Sequence, residues 1–215
     1  MELTFKVFLF IHIISGTIGL LSGTLNMINK KGNKLHKQIG LFFFYGMLIN
    51  GISALVVACI HFNIFLFIVG VFSIYMVSTA QRFLYLRGIH TGQKPKKGDW
   101  IVTYSMLFFG LCFMIYGGTL IVFSKNFGVV LLVFGIISFL MVKQDIAIYG
   151  GNIKNTNYWL LIHIGRMIGA YIASITAFLV VNNTILPSLV AWLAPGILLT
   201  PLIFYWINKY KRKAI

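Results

Sequence analysis

Long apolar stretches and short polar ones alternate along this sequence. Seven stretches are mostly apolar, and they lie at 5–28, 40–61, 63–87, 100–123, 127–149, 157–181 and 188–208. A helix of about 20 apolar residues spans the hydrocarbon core of a bilayer. The apolar residues are continuous within each stretch and do not alternate with polar ones, which excludes a transmembrane β-barrel. The pattern predicts an all-α, integral membrane bundle of seven transmembrane helices that forms a single domain over residues 1–215.

The composition supports an integral membrane protein. Apolar residues make up 59% of the 215-residue chain and charged residues only 10%, whereas soluble domains carry about 25% charged residues. The segments between the predicted helices are too short for a soluble domain. We therefore expect one helical bundle with no domain outside the membrane.

The positive charge is concentrated in alternate connections. The net charge is +15. Basic residues cluster near one set of helix ends: Lys30, Lys31, Lys34, Lys37, Arg82, Arg87, Lys94, Lys96, Lys97, Lys143, Lys154, Lys209, Lys211, Arg212 and Lys213. The opposite set holds only Lys6 and Lys125. Because cationic loops stay in the cytoplasm, we predict an outside N-terminus and a cytoplasmic C-terminus. The same residues are expected to contact anionic lipid headgroups, and a nucleic-acid partner is disfavoured.

Small and polar residues recur every three or four positions in the first and sixth predicted helices. In the first helix they form a polar packing face: His12, Ser15, Gly19 and Asn26. In the sixth they form a ridge: Gly165, Gly169, Ala173 and Ala177. Small residues at this spacing let helix backbones approach closely in lipid. We expect these two helices to pack closely against each other.

A histidine and an arginine interrupt the apolar sixth helix, in the segment HIGRMIGAY that begins at His163. A charged side chain at the bilayer centre costs about 2.5–3.5 kcal/mol on insertion scales, so Arg166 requires a partner. The predicted topology places several other polar residues in the same cytoplasmic third of the bundle: Asn26, His36, Gln81, Arg82, Tyr104 and Asp145. The pattern predicts a polar site at this level.

Charge pairing within this level predicts a binding site. Buried ionisable groups in membranes normally pair with one another, so Asp145 is expected to pair with Arg166 or Arg82. Asp145 is the one acidic residue predicted to lie within the membrane, and either pairing leaves one arginine uncompensated. An unpaired guanidinium favours an anion, such as a lipid phosphate or a carboxylate. We predict a site for an anionic lipid or a small organic acid, formed by His36, Gln81, Arg82, Tyr104, Asp145, His163 and Arg166.

Other functions stay open from the sequence. A b-type haem needs two histidines on different helices at matched depth, and the candidate pairs are His36 with His163 and His12 with His61. His36 and His61, however, lie at helix ends, where a haem would be poorly buried. Proton-coupled transport through Asp145 or His163 has no dedicated signature here. No histidine spacing typical of a hydrolytic metal site occurs, and three acidic residues are too few for paired-carboxylate catalysis. No catalytic residue, metal or cofactor is predicted, and the oligomeric state is open.

Two parts of the chain resemble a known family. They are HIISGTIGLLSGTLNMINKKGNKLHKQIGLFFFYGM at 12–47, and HIGRMIGAYIASITAFLVVN at 163–182 continuing to WLAPGILLTPLIFYW at 192–206. These segments look like the bacterial membrane proteins grouped as domain of unknown function 2306. Such proteins begin with a histidine-bearing helix, a lysine–glycine turn and a His-basic-x-x-Gly entry to the second helix.

In this sequence the entry to the second helix is His36, Lys37 and Gly40. Lys37 stands where the family is expected to have arginine, which weakens a phosphate-binding role at that position. The resemblance implies a seven-helix protein of the bacterial cytoplasmic membrane. It marks a set of residues without assigning chemistry to them: His12, His36, His163, Arg166 and Met167.

Overall fold

The computed structural model describes residues 1–153 and 155–211, and seven long helices lie within these ranges. They are α1 (Glu2–Ile28), α2 (Lys34–Ile60), α3 (Ile64–Phe83), α4 (Lys97–Val122), α5 (Phe127–Tyr149), α6 (Tyr158–Asn182) and α7 (Ser188–Lys211). A single 3-10 turn, Ile89–Thr91, lies between α3 and α4. The described ranges contain no strand, which confirms the predicted all-α class. Lys154, Arg212 and Lys213, which the charge argument includes, lie outside the described residues.

Each of these seven helices is long and apolar enough to cross a membrane. Large apolar side chains cover the outside of the bundle: Phe10 is 65% exposed, Phe108 62% and Ile115 69%. Soluble monomers rarely expose contiguous apolar patches larger than a few hundred Å². The helices and their apolar exterior indicate a multi-pass membrane protein.

Three helices, α1, α2 and α4, begin at least three residues earlier than hydropathy predicts, and a polar side chain caps α2 and α4. α2 begins at Lys34 rather than 40, and Asn33 Oδ1 accepts the backbone N–H of His36 at 2.7 Å. α4 begins at Lys97 rather than 100, and the Asp99 carboxylate accepts the backbone N–H three residues earlier at 2.7 Å. A side-chain acceptor satisfies N–H groups that the first helical turn leaves unpaired. The charged residues at these ends therefore belong to the helices.

α3 ends at Phe83, earlier than the predicted 87. The next three backbone N–H groups, those of Leu84, Tyr85 and Leu86, bond to carbonyls three residues back. Such bonds tighten the chain into turns and close a helix. As a result Arg87 lies in the connection that follows α3.

The expected close pairing of α1 with α6 is wrong. α1 packs mainly against α2, while α6 packs mainly against α3 and α7. Asn50 Nδ2 of α2 donates to the backbone carbonyl of His12 at 2.8 Å, and a Cβ on Gly46 would lie 3.1 Å from the Gly19 backbone. The polar face of α1 is therefore a packing face directed at α2. The spacing of small residues identifies a face that packs closely, but it does not identify the helix on which that face packs.

Short connections make consecutive helices run in opposite directions. The C-terminal ends of α1, α3, α5 and α7 therefore meet the N-terminal ends of α2, α4 and α6 at one end of the bundle. Lys31, Lys37, Arg87 and Lys209 lie at this end, which we call the basic end. The polar level predicted from the sequence is next to it.

Candidate functional site

A fully buried ion pair joins α5 and α6 near the basic end. Arg166 is 3% exposed and Asp145 is 0% exposed. Arg166 Nη2 lies 2.5 Å from Asp145 Oδ1, and Nη1 lies 3.1 Å from Oδ2. Two parallel contacts of this kind give an arginine–carboxylate pair its strength and its fixed orientation. The predicted pairing of Asp145 with one of the two arginines is confirmed.

Neighbouring side chains from α3 and α4 enclose this pair. Tyr75 Oη donates to Asp145 Oδ2 at 2.6 Å, and Thr103 Oγ1 donates to the same atom at 3.3 Å. The rings of Tyr75 and Phe83 lie 5.2 and 5.3 Å from the guanidinium carbon of Arg166, within the range of cation–π attraction. The pair therefore links α3, α4, α5 and α6. Sequence analysis missed Tyr75 and Thr103, because a neutral hydroxyl in an apolar helix gives no signal that distinguishes it from packing.

Arg82 has its own counter-charge, so the expectation of an uncompensated arginine is wrong. Arg82 Nε lies 2.6 Å from Asp99 Oδ1, and Nη2 lies 2.9 Å from Oδ2. Asp99 is buried in the first turn of α4. The error arose because hydropathy places Asp99 in the connection before the helix, where solvent would screen it.

A cavity of about 750 Å³ opens at the basic end between α1, α2, the end of α3, α6 and α7. Ligand pockets commonly measure about 300–1,000 Å³. The predicted site residues that line this cavity are His36, Gln81 and His163. Those that do not line it are Arg82, Tyr104, Asp145 and Arg166. The polar level therefore divides into two closed ion pairs and one open cavity.

Three basic residues surround the mouth of the cavity. Lys31 Nζ donates to the backbone carbonyls of Asn26 and, at 2.8 Å, of Met27, and it lies 5.1 Å from the Trp206 ring. Arg87 donates to the Leu84 carbonyl and stacks over Trp159 at 4.2 Å. Lys37 is the third cation. No Asp or Glu is among the described residues that line the cavity.

The surroundings of Lys31 favour the binding of an anion next to its ammonium group. Partial burial lowers the pKa of its ammonium group, because the charged form loses hydration. The two carbonyls use two of its three N–H donors. An anionic group at the mouth would supply the missing counter-charge. Sequence analysis counted Lys31, Lys37 and Arg87 only as determinants of topology.

A second layer of the cavity is polar and uncharged and contains Asn26, His36, Gln81 and His163. Asn26 and Gln81 lie more than one helical turn further in than Lys31 and Arg87, whereas His36 is next to Lys37 in the first turn of α2. Two atoms here are buried with no hydrogen-bond partner in the described part of the chain, Asn26 Oδ1 and His36 Nδ1. A buried polar atom left unsatisfied costs about 1–3 kcal/mol. A ligand that brings hydrogen-bonding groups to this layer would recover part of that cost.

The innermost layer of the cavity is apolar. It is formed mainly by Phe43, Met167, Ile168 and Tyr171. Tyr171 follows His163 by eight positions in α6, so this layer extends about 12 Å beyond the polar one. The Tyr171 hydroxyl is paired with Thr24 Oγ1 at 2.7 Å, and the ring therefore presents an apolar face.

The other predicted residues lie away from this cavity. Tyr104 is 51% exposed and stacks on Trp100 with 5.6 Å between ring centroids. His12 Nδ1 lies 3.1 Å from the Asn50 carbonyl between α1 and α2, and His61 packs its ring on Phe5 at 4.2 Å. His61 therefore lies at the level of Phe5, which is seven residues before His12 in α1. His12 and His61 thus differ by about 10 Å in depth. Within the described residues, no group of three or more His, Cys, Asp or Glu side chains could hold a metal ion.

A larger groove of about 950 Å³ runs between α5, α6 and α7. Its walls are mostly apolar, with Lys143 and Lys211 at the basic end. Arg166 lines this groove but is already paired with Asp145. The groove also contains uncharged polar residues, Gln144, Asn152 and Asn155. Among the described residues, its one buried polar atom without a partner is the donor Arg166 Nε, whereas the corresponding atoms of cavity residues are Asn26 Oδ1 and His36 Nδ1.

Comparisons with protein-family models, with curated proteins and with solved structures find no match for this chain. The resemblance to domain of unknown function 2306 stays a prediction, and function has to be argued from the site itself.

Proposed function

We propose that this protein binds an anionic amphiphile in the cavity at the basic end, which opens to the cytoplasm. The observation that carries the proposal is the order of the layers. Cations without a carboxylate partner in the described chain, Lys31, Lys37 and Arg87, surround the mouth, while the far end of the cavity is apolar. An acidic headgroup attached to a hydrocarbon chain is complementary to both ends.

The same layers favour an amphiphile over a small acid. A small carboxylate would contact the mouth and leave the apolar layer around Phe43, Met167 and Tyr171 unfilled. Burial of hydrocarbon contributes about 0.8 kcal/mol per CH₂ group, so a chain in this layer adds affinity that a small acid lacks. Arg82 and Arg166, which the sequence suggested as anion-binding groups, are not part of the proposal because each has a carboxylate partner.

Binding is tested by titrating the detergent-purified protein with dodecyl phosphate and following the complex by native mass spectrometry. Dodecylphosphocholine, which has the same chain but no net charge, is the matched ligand. We expect dodecyl phosphate to bind more tightly. The change Lys31→Gln should raise its Kd about tenfold, because a charged hydrogen bond contributes about 1.5–3 kcal/mol.

The control variant for this titration is Lys143→Gln. Lys143 is an exposed lysine in the α5–α6–α7 groove at the same end of the bundle, and its removal should leave the Kd unchanged. Equal affinity for the two ligands, or an equal loss in both variants, would show that the cavity does not bind the anion.

The orientation in this proposal rests on the basic end facing the cytoplasm. An alkaline phosphatase fused after the C-terminus should be inactive in a bacterial host, since that enzyme requires the oxidising side of the membrane. A fluorescent protein at the same place should be bright. The opposite pattern would place the cavity on the outer side. The resemblance noted above supports a bacterial cytoplasmic membrane as the location.

One observation favours a second candidate, a b-type haem. His36 of α2 and His163 of α6 line the same cavity from different helices. The His163 Nδ1 atom lies 3.1 Å from the Ala80 carbonyl, the kind of contact that orients a ligating histidine and leaves Nε2 for the iron. An absorption spectrum of the purified protein distinguishes the two candidates. A Soret band in the wild-type protein that disappears in His163→Ala would show that the cavity holds haem and not an amphiphile.

A further inference from the structure

Two of the residues that line the cavity, Asn26 and His163, each carry a hydrogen-bond acceptor, because a backbone carbonyl fixes the orientation of each side chain. Asn26 Nδ2 donates to the backbone carbonyl of His36 at 3.1 Å. Only the NH₂ group of an amide can pair with a carbonyl, so the atom left without a partner is the oxygen, Oδ1. This acceptor has no donor in the described part of the chain, so a ligand can supply one.

His163 provides the second acceptor by the same reasoning. Its Nδ1 lies 3.1 Å from the Ala80 carbonyl, and a carbonyl cannot donate, so Nδ1 carries the proton. Ala80 belongs to the last turn of α3, where carbonyls lack helical partners, and the Leu84 N–H bonds to Gln81 instead. In the neutral ring the other nitrogen, Nε2, is an acceptor.

The surroundings of His163 favour the neutral ring. No carboxylate lines the cavity among the described residues, and three cations surround its mouth. A second proton on the imidazole would add another positive charge to a buried site with no counter-charge. The layer between the cations and the apolar wall therefore presents at least two acceptors, Asn26 Oδ1 and His163 Nε2.

We infer that the cavity selects an amphiphile that carries a hydroxyl between its anionic group and its hydrocarbon chain. The inference rests on the proposed function and specifies its ligand. Measured along the cavity from the mouth, the protein offers cations, then acceptors, then an apolar wall. The complementary ligand offers an anion, then a donor, then a chain. Lysophosphatidic acid has this order, because its free glycerol hydroxyl lies between the phosphate and the single acyl chain.

A ligand without the hydroxyl would meet the same acceptors with nothing to donate. Its ester oxygens are themselves acceptors and would face Asn26 Oδ1 and His163 Nε2 unfavourably. A site built to hydrogen-bond a hydroxyl rejects an analogue that lacks it more strongly than an apolar pocket rejects a missing methylene group. The hydroxyl is therefore expected to decide selectivity, while the phosphate and the chain provide most of the affinity.

The test compares two ligands on the wild-type protein. One is 1-lauroyl lysophosphatidic acid, and the other is its 2-deoxy analogue, 3-(lauroyloxy)propyl phosphate, which has the same chain, ester and phosphate. We expect the hydroxyl to lower the Kd by about tenfold. Equal Kd values for the two would overturn this inference and leave the proposed function standing. If neither ligand binds, the proposed function itself fails.

Two variants assign the preference to the proposed acceptors. His163→Phe keeps a ring of similar shape and removes Nε2, while Asn26→Ala removes Oδ1. In at least one of the two variants the ratio of the deoxy Kd to the hydroxylated Kd should fall, because a single hydroxyl donates one hydrogen bond and loses it when its acceptor is removed. His163→Phe also removes the bond to Ala80, so a loss of folding there leaves Asn26→Ala as the deciding variant. An unchanged ratio in every folded variant would contradict the assignment.

Discussion

The Arg166–Asp145 pair and the basic-end cavity lie close together in the bundle, since Arg166 is one helical turn beyond His163 in α6. Their charges are arranged in opposite ways. Asp145 accepts bonds from Arg166, Tyr75 and Thr103, and it is fully buried. At the cavity, cations meet backbone carbonyls and aromatic rings but no carboxylate in the described chain.

This difference distinguishes charges that stabilise the fold from charges that can bind a ligand. A buried charge with its partner inside the protein holds helices together, and its attraction for an external anion is largely neutralised. A partly buried charge whose only neighbours are neutral keeps its attraction for an anion. Identity of the residue type does not distinguish the two cases, because arginine occurs in both: Arg82 is paired with Asp99, and Arg87 stacks on Trp159.

The largest effect should come from breaking the buried pair. Arg166→Leu or Asp145→Leu alone leaves an uncompensated buried charge, and each should cost about 3–5 kcal/mol in the free energy of unfolding. The double variant removes both charges and should recover part of that loss, since Arg82 retains Asp99 as its partner. The rest remains because the buried Tyr75 hydroxyl loses its acceptor. Thermal unfolding in detergent of both single variants and the double variant measures the coupling.

Ligand binding by the double variant sharpens the comparison further. Neither Arg166 nor Asp145 lines the cavity, so the folded double variant should bind dodecyl phosphate as the wild type does. A double variant that is stable but does not bind would mean that the pair serves the ligand directly.

A smaller loss of stability is expected from Asp99→Asn. Asp99 both pairs with Arg82 and caps α4. The Arg82 side chain is 29% exposed, so solvent reduces the cost of losing its partner. Since the asparagine oxygen can still accept the backbone N–H that caps α4, we expect a loss of about 1 kcal/mol. The measurement is again thermal unfolding. A loss as large as that of Asp145→Leu would show that Arg82 is as dependent on its partner as Arg166.

The sequence predicted the fold class and the level of the polar site but not the grouping of its residues. Apolar stretches predict seven helices because crossing a bilayer sets both their length and their composition. The Asp145–Arg166 pair was predictable since a membrane leaves a buried charge few partners. Helix ends were less predictable, because capping by Asn33 and Asp99 depends on one hydrogen bond that hydropathy does not register.

The cavity itself could not be predicted from spacing. It forms because α1 packs on α2 while α6 packs on α3 and α7, which leaves a space between the two groups at the basic end. Which helices adjoin is a property of three-dimensional packing, and one-dimensional periodicity identifies only the packing face. Lys31 and Arg87 therefore appeared in the sequence as topology residues, although both line the cavity.

A smaller effect, on binding rather than stability, is expected from Gly40→Ala. A Cβ on Gly40 would lie 3.2 Å from Asn26 Nδ2, and both residues line the cavity. The added methyl group should displace the Asn26 amide and raise the Kd for lysophosphatidic acid roughly threefold. This is less than the effect of losing one hydrogen bond. Gly118→Ala is the matched control, because no atom lies within 4 Å of its added Cβ. An unchanged Kd in Gly40→Ala would mean that Asn26 does not contact the ligand.

A difference of similar size is expected from salt. Raising the ionic strength from about 0.1 M to 1 M shortens the screening length from about 10 Å to 3 Å. The Kd for dodecyl phosphate should therefore rise a few-fold, since Lys37 and Arg87 at the mouth are exposed. The loss of stability in Arg166→Leu should not change with salt, because water and ions do not reach the buried pair. The account would be contradicted if the loss of stability in Arg166→Leu changed with salt while the Kd for dodecyl phosphate did not.

Photolabelling tests the central claim most directly, because it reports where an anionic amphiphile lies. The probe is an alkyl phosphate with a diazirine near the end of its chain, applied to the detergent-purified protein and mapped by peptide mass spectrometry. The account predicts labels on the apolar layer of the cavity, at Phe43, Met167 and Tyr171, and loss of these labels in excess lysophosphatidic acid. Labels confined to the α5–α6–α7 groove, or spread over exterior residues such as Phe10 and Phe108, would contradict it.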